Sequence, residues 1–195
     1  MMKRTVSSTV IVGLLLAGCM TIRDYEAVTF AVGGENAVMT GVIDHTISER
    51  VERLRREHPE VTTIVMADVP GSVDDEANLV AARLVREYGW NTTVPSDGVI
   101  ASGGVDFFVA GVERTIEEGA QLGVHTWGGG WWGQRSGADL PRDDPEHRRY
   151  LDYYAEMGIP AAFYWFTLDA APADSIHNMT PDELVRYGIV TGATR

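Results

Sequence analysis

Between Val61 and His125, apolar runs of strand length alternate with segments of helical length, and no other feature constrains the fold as much. Val61 to Ala67 reads as a buried strand, broken at Asp68-Val69-Pro70-Gly71-Ser72. Asp74 and Asp75 then open a helix that puts Leu79, Ala82, Leu84 and Val85 on its inner face and stops at Gly89. Asn91 to Pro95 is a further short strand, Val105 to Ala110 a buried helix, and Arg114 to Glu117 and Leu122 to His125 two more strands. Strand, loop, helix and strand in this order require right-handed crossovers and predict an α/β fold.

Upstream, Val28 to Val32 and Ala37 to Ile43 flank a turn at Gly33-Gly34-Glu35-Asn36 and predict a hairpin. Ile47, Val51 and Leu54 give His45 to His58 the spacing of an amphipathic helix, stopped by Pro59. Downstream, Pro145 to Met157 and Pro160 to Leu168 read as helices, and Thr180-Pro181-Asp182-Glu183 as a capping box opening a last one. Residues 127 to 145 carry Gly, Trp and Asp without a period and read as a loop or lid. With 195 residues, 45% of them hydrophobic, and no linker, one domain is expected over residues 27–195.

The first eighteen residues form a separate unit: Lys3-Arg4 supplies a positive start, and Val10 to Leu16 an apolar stretch too short to span a bilayer. Leu16-Ala17-Gly18-Cys19 resembles the bacterial lipobox, in which the peptide is cut before a cysteine that carries the lipid. That resemblance implies a signal peptide over 1–18, acyl chains on Cys19, and a polar tether over 19–26. The protein is then expected in the cell envelope, held to a membrane surface through that lipid. In a Gram-negative cell the absence of Asp after Cys19 implies the periplasmic face of the outer membrane. Cys19 is the sole cysteine, so no disulfide forms within one chain. Cleavage removes Lys3 and Arg4 and no acid, taking the formal charge from −12 to −14. A balance that acidic disfavours nucleic acid as a partner.

The stretch Ile100-Ala101-Ser102-Gly103-Gly104 carries the chemistry question. Serine catalysis needs a hydroxyl on a sharp turn, a base within reach, an acid to orient the base, and N–H donors for the oxyanion. Ser102 before two glycines at a helix start meets the first condition, and the amide of Gly103 could meet the last; a serine there is also an ordinary N-cap. Ile100 replaces the first glycine of the Gly-x-Ser-x-Gly elbow, which argues against an α/β-hydrolase. His125, after an apolar strand, is either a base or a satisfied core histidine. The other histidines, His45, His58, His147 and His177, lack zinc-ligand spacing, and no phosphate-binding glycine loop occurs.

Together, Asp68-Val69-Pro70-Gly71-Ser72, the Ala101-Ser102-Gly103-Gly104 turn, and Ala110-Gly111-x-x-Arg114 leading to Ala120-x-Leu122-Gly123-Val124-His125 resemble the Clp protease proteolytic subunit and its periplasmic relatives in the ClpP/crotonase superfamily. The likeness runs from about Val38 to Val190 and implies a fold of repeated ββα units. It also implies Ser102 as nucleophile, His125 as base, and oxyanion donors at Gly71 and Gly103. The family's Pro-Gly-Gly has Ser72 in place of its second glycine here. The family's acid precedes a Ser/Thr-x-x-Glu helix matched by Thr180 to Val190; counting back reaches Ile176, and Asp174 is the nearest carboxylate, with Asp169, His177 and Asn178 as rivals. The resemblance further implies peptides or unfolded segments as substrates, no cofactor, and a homo-oligomer. The alternatives are an esterase or thioesterase on the same site, or a scaffold that has lost turnover. Trp127-Gly128-Gly129-Gly130-Trp131-Trp132-Gly133 after His125 reads as a substrate clamp, a lid or an interface.

Overall fold

The structure, a computed structural model, describes residues 25–128 and 135–192. The signal segment, Cys19 and Trp131-Trp132 lie outside the described residues. Strands β1 (Thr29–Gly33) and β2 (Asn36–Thr40) form the antiparallel hairpin, with Gly33 opposite Asn36. Helix α1 (Ile47–Glu57) buries Ile47, Val51 and Leu54, one stripe at four- and three-residue spacing. It returns the chain to β3 (Thr63–Val69), which runs parallel to β2. Helix α2 (Asp75–Glu87) follows, its first turn capped by the Asp74 carboxylate, which accepts from the Ala77 amide at 3.0 Å.

From β3 the sheet branches. Thr63 to Val65 pair with β4 (Asn91–Val94), whereas Asp68 and Val69 pair with β5 (Val99–Ala101). After α3 (Gly103–Phe108), β6 (Arg114–Ile116) extends the β4 branch, and β7 (Gln121–Val124) extends the β5 branch. Each pair of consecutive strands thus gives one strand to each branch, the ββα step of a mixed α/β fold. Helix α3 is buried at Gly103, Gly104, Val105, Phe107 and Phe108, and burial of each phenyl contributes roughly 1.5 to 3 kcal/mol.

Helices α4 (Arg148–Glu156) and α5 (Ala161–Ala170) pack on each other, and α4 docks on α3 through the Tyr153 hydroxyl, which donates to the Asp106 carbonyl at 2.6 Å. The expected helix from Pro145 is divided, because Pro145–His147 forms a 3₁₀ turn before α4 begins. Another such turn, Gly137–Asp139, lies within the stretch expected to be irregular. Two-residue strand β8 (His177–Asn178) adds antiparallel to β7, an element without a signal in the sequence. Helix α6 (Pro181–Arg186) opens on the expected capping box: Thr180 Oγ accepts from the Glu183 amide, and the Glu183 carboxylate accepts from the Thr180 amide at 2.8 Å. Buried Arg114 ties the C-terminal segment down, donating to the carbonyls of Gly111, Gly188 and Ile189 at 3.1, 2.9 and 2.7 Å.

Candidate functional site

Parallel strands β3, β5 and β7 are neighbours, so their C-terminal ends lie along one edge, and each is followed by a residue singled out in the sequence. Ser102 follows β5. Its amide donates to the Gly123 carbonyl at 2.9 Å, and its backbone has φ 52° and ψ −128°. Among the described residues it is the one non-glycine with positive φ. Such a conformation costs on the order of 1 to 3 kcal/mol and persists where the surroundings impose it, typically at a functional turn. The side chain makes no capping bond to α3, so its hydroxyl is not consumed as an ordinary N-cap.

Glycines make the turn possible. A β-carbon on Gly104 would lie 2.5 Å from the Val69 carbonyl oxygen, and one on Gly103 would lie 2.2 Å from Ser72 Oγ. Gly71 follows β3 with φ 145°, its own β-carbon position 3.2 Å from Ser102 Cβ. Neither the Gly71 nor the Gly103 amide donates a hydrogen bond to another described residue, and both flank Ser102. Asn78, fully buried on α2, donates to the Gly103 carbonyl at 2.7 Å and fixes the Gly103–Gly104 peptide.

His125 follows β7, and the next residue is pinned: the Thr126 amide donates to the Ala171 carbonyl at 3.0 Å, and Thr126 Oγ accepts from the Ala138 amide at 3.0 Å. Ser102 and His125 line one narrow cleft with Asp75, Val105, Asp106, Val124, Trp127, Tyr150, Tyr154, Tyr164 and Thr167. About 30 Å³ is free inside it, room for about two waters. Burial holds the His125 imidazole below its ordinary pKa of 6.5, partly offset by the Thr126 backbone, an acceptor for the protonated ring, and by the charge of Asp75. Its Nδ1 is buried and has no hydrogen-bond partner among the described residues.

Asp174 is not brought to this cleft. It is exposed, lies within a turn closed by the Ser175 amide on the Pro172 carbonyl, and makes no hydrogen bond to His125. Its rivals are placed elsewhere too: Asp169 faces Arg142 at 3.6 Å, and His177 is held by Glu183 at 3.0 Å. The carboxylates that do line the cleft are Asp75 and Asp106. Asp75 accepts from the Tyr150 hydroxyl at 2.7 Å and from the Ser72 hydroxyl. Asp106, one helical turn after Ser102 on α3, accepts from the Tyr154 hydroxyl, and burial pushes its pKa up to about 7. In the sequence Asp75 reads only as a helix start, and Asp106 carries no distinguishing signal.

The cleft's far wall is aromatic. Trp127 stacks on Tyr150 at 5.5 Å and Tyr150 on Tyr164 at 5.5 Å between ring centres. Trp127 Nε1 donates to the Tyr164 hydroxyl at 2.9 Å, which in turn bonds His147 Nδ1 at 2.7 Å, while His147 Nε2 donates to the Pro141 carbonyl at 3.0 Å. Trp127 therefore points inward as a cleft wall. Among the described residues no group of three or more His, Cys, Asp or Glu side chains converges as a metal site would, and no helix is long and apolar enough to cross a membrane.

No protein-family model matches the chain, and no curated protein matches it in sequence. Solved structures do resemble it in fold. An enoyl-CoA hydratase from Polaromonas sp. JS666 superposes with a TM-score of 0.52 at 12% identity, over 87% of this chain and 71% of that one. A mutant of the 1510-N membrane-bound stomatin-specific protease superposes with a TM-score of 0.52 at 14% identity, over 77% of this chain and 75% of the other. A second mutant of that protease, in complex with a substrate peptide, gives a TM-score of 0.50 at 17% identity. The chain shares its fold with these proteins, the mixed α/β, ClpP/crotonase-like fold expected from the sequence.

Proposed function

We propose that the protein is a serine hydrolase of the ClpP type that cleaves peptide bonds through an acyl-enzyme on Ser102. The observation that carries this reading is the Ser102 turn itself: a strained, uncapped serine at a strand exit, flanked by two undonated amides, on a cleft shared with an imidazole. His125 takes the Ser102 proton as Oγ bonds to the substrate carbonyl carbon, and Gly71 and Gly103 donate to the oxygen that gains charge. The tetrahedral adduct then expels the amine, which leaves with the proton from His125. Water, deprotonated by the same imidazole, releases the acid and restores Ser102.

The reading includes export and attachment to an envelope membrane through lipid on Cys19, and assembly with copies of itself. Substrates are then peptides or unfolded segments on the envelope side of a membrane.

A fluorophosphonate probe tests the nucleophile. Wild type is expected to be labelled and Ser102→Ala not; absence of labelling in folded wild type overturns the reading and leaves a scaffold on this fold. Turnover of a peptide library against acyl esters and thioesters decides between peptidase and esterase. Labelled palmitate retained by wild type and lost in Cys19→Ser tests the anchor.

A further inference from the structure

We propose that Asp75, rather than Asp174, is the working carboxylate of this site, a positioning residue that holds the Gly71-Ser72 loop against the Ser102-Gly103 turn and faces the His125 imidazole across the cleft. The proposal rests on the serine-hydrolase reading and assigns that site its acid.

The local sequence already separates Asp75 from its neighbour. Asp74 spends its carboxylate on the Ala77 amide at 3.0 Å, capping α2. Asp75, the first residue of the helix proper, turns into the cleft instead. There it is held on both oxygens: Oδ1 accepts from Ser72 Oγ, and Oδ2 accepts from the Tyr150 hydroxyl at 2.7 Å. A carboxylate fixed at both ends is pre-organised for electrostatic work.

The Ser72 contact gives the departure from Pro-Gly-Gly a purpose. Ser72 Oγ and Cβ fill the space beside Gly103, at 2.2 and 2.6 Å from where a β-carbon there would be. Gly71, one residue earlier, abuts Ser102 at 3.2 Å on the same measure. By accepting from Ser72 Oγ, Asp75 clamps one oxyanion amide in place relative to the other. A glycine at position 72 has no hydroxyl to be held this way.

The second part concerns His125. The ionisable groups around its cleft are Asp75 on α2, Asp106 on α3, Tyr150 and Tyr154 on α4, and Tyr164 on α5; Arg149 lies over the outer faces of Trp127 and Tyr150. Of the two carboxylates, burial favours the protonated form of Asp106, and it is the charge of Asp75 that favours the imidazolium formed during catalysis. Asp174 is exposed and outside the cleft.

The experiment is an NMR titration of the His125 ring in the full chain, in wild type, Asp75→Asn and Asp174→Asn. Asp75→Asn is expected to lower the His125 midpoint further and Asp174→Asn to leave it unchanged; the reverse pattern, or no change in either, overturns the proposal. This readout needs no turnover, so it stands apart from failure of the hydrolase reading. Ser72→Ala tests the clamp without touching the charge: probe labelling at Ser102 should slow about tenfold, less than the ~100- to 1000-fold cost of losing an oxyanion donor outright, with the His125 midpoint unmoved. Labelling of Ser72→Ala at the wild-type rate removes the clamp. In Asp75→Asn, kcat should fall more than KM changes, and the acidic limb of kcat/KM should move to lower pH with the His125 midpoint.

Discussion

The Ser102 amide donates to the Gly123 carbonyl at 2.9 Å, joining the exit of β5 to the middle of β7 two residues before His125. The serine and the imidazole are therefore referenced to one pair of parallel strands, Ala101 opposite Gly123, rather than to two independent loops.

The strain at Ser102 reverses an ordinary ranking. Glycine normally costs stability relative to alanine, yet at φ 52° alanine keeps the strain and glycine relieves it. Ser102→Gly should be more stable than Ser102→Ala by about 1 kcal/mol in urea unfolding, with both inactive.

Gly103→Ala places a methyl 2.2 Å from Ser72 Oγ and 2.6 Å from its Cβ. The loop must move, at a cost of roughly 1 to 3 kcal/mol, and it carries the Gly71 amide with it. Lower thermal stability together with slower probe labelling is the expected result.

Because burial holds His125 below 6.5, the imidazole stays neutral, and able to accept a proton, into mildly acidic solution. The acidic limb of kcat/KM should fall below pH 6.5, and His125→Gln should abolish that limb along with most of the activity. A limb above 6.5 would contradict the assignment.

Asp106 keeps its proton to about pH 7 when folded and loses it near 3.8 when unfolded. Between those values the folded state binds more protons, so this group's contribution weakens as pH rises. Melting temperatures should show Asp106→Asn gaining on wild type from pH 4 to 7, since asparagine still accepts from Tyr154 without a charge to bury.

Replacing Arg114 by Met strips the donors from the carbonyls of Gly111, Gly188 and Ile189. A loss on the order of 3 kcal/mol is expected in denaturant unfolding, the scale for orphaning several buried acceptors.

Much of this site could be read before any coordinates. The alternation from Val61 to His125 predicts an α/β sheet, and the motif residues Gly71, Ser102, Gly103 and His125 fall at strand exits; that β3, β5 and β7 are the neighbours, with β4 and β6 on the other branch, is set by tertiary pairing. Asp75 was hidden because two adjacent acids at a helix start look alike, and only the rotation of α2 decides which one caps and which faces the cleft. Tyr150 and Tyr154 have the spacing of an ordinary buried helix face, and their hydroxyls find Asp75 and Asp106 only through tertiary docking. Asp174 was reached by counting back from the Thr180 cap, and the turn at Pro172 to Ser175 leaves it in solvent. Strand β8 is too short to leave a period.

Gly71, Ser102 and His125 each sit just past a different strand, separated along the chain by a whole helix and a strand of the other branch. No fragment confined to one of these loops can hold the constellation, and a refolding chain acquires it only when the third strand has docked. Recovered labelling at Ser102 is thus a stricter measure of correct threading than recovered helical signal. A proteolytic nick between the loops should silence the protein once the pieces drift apart.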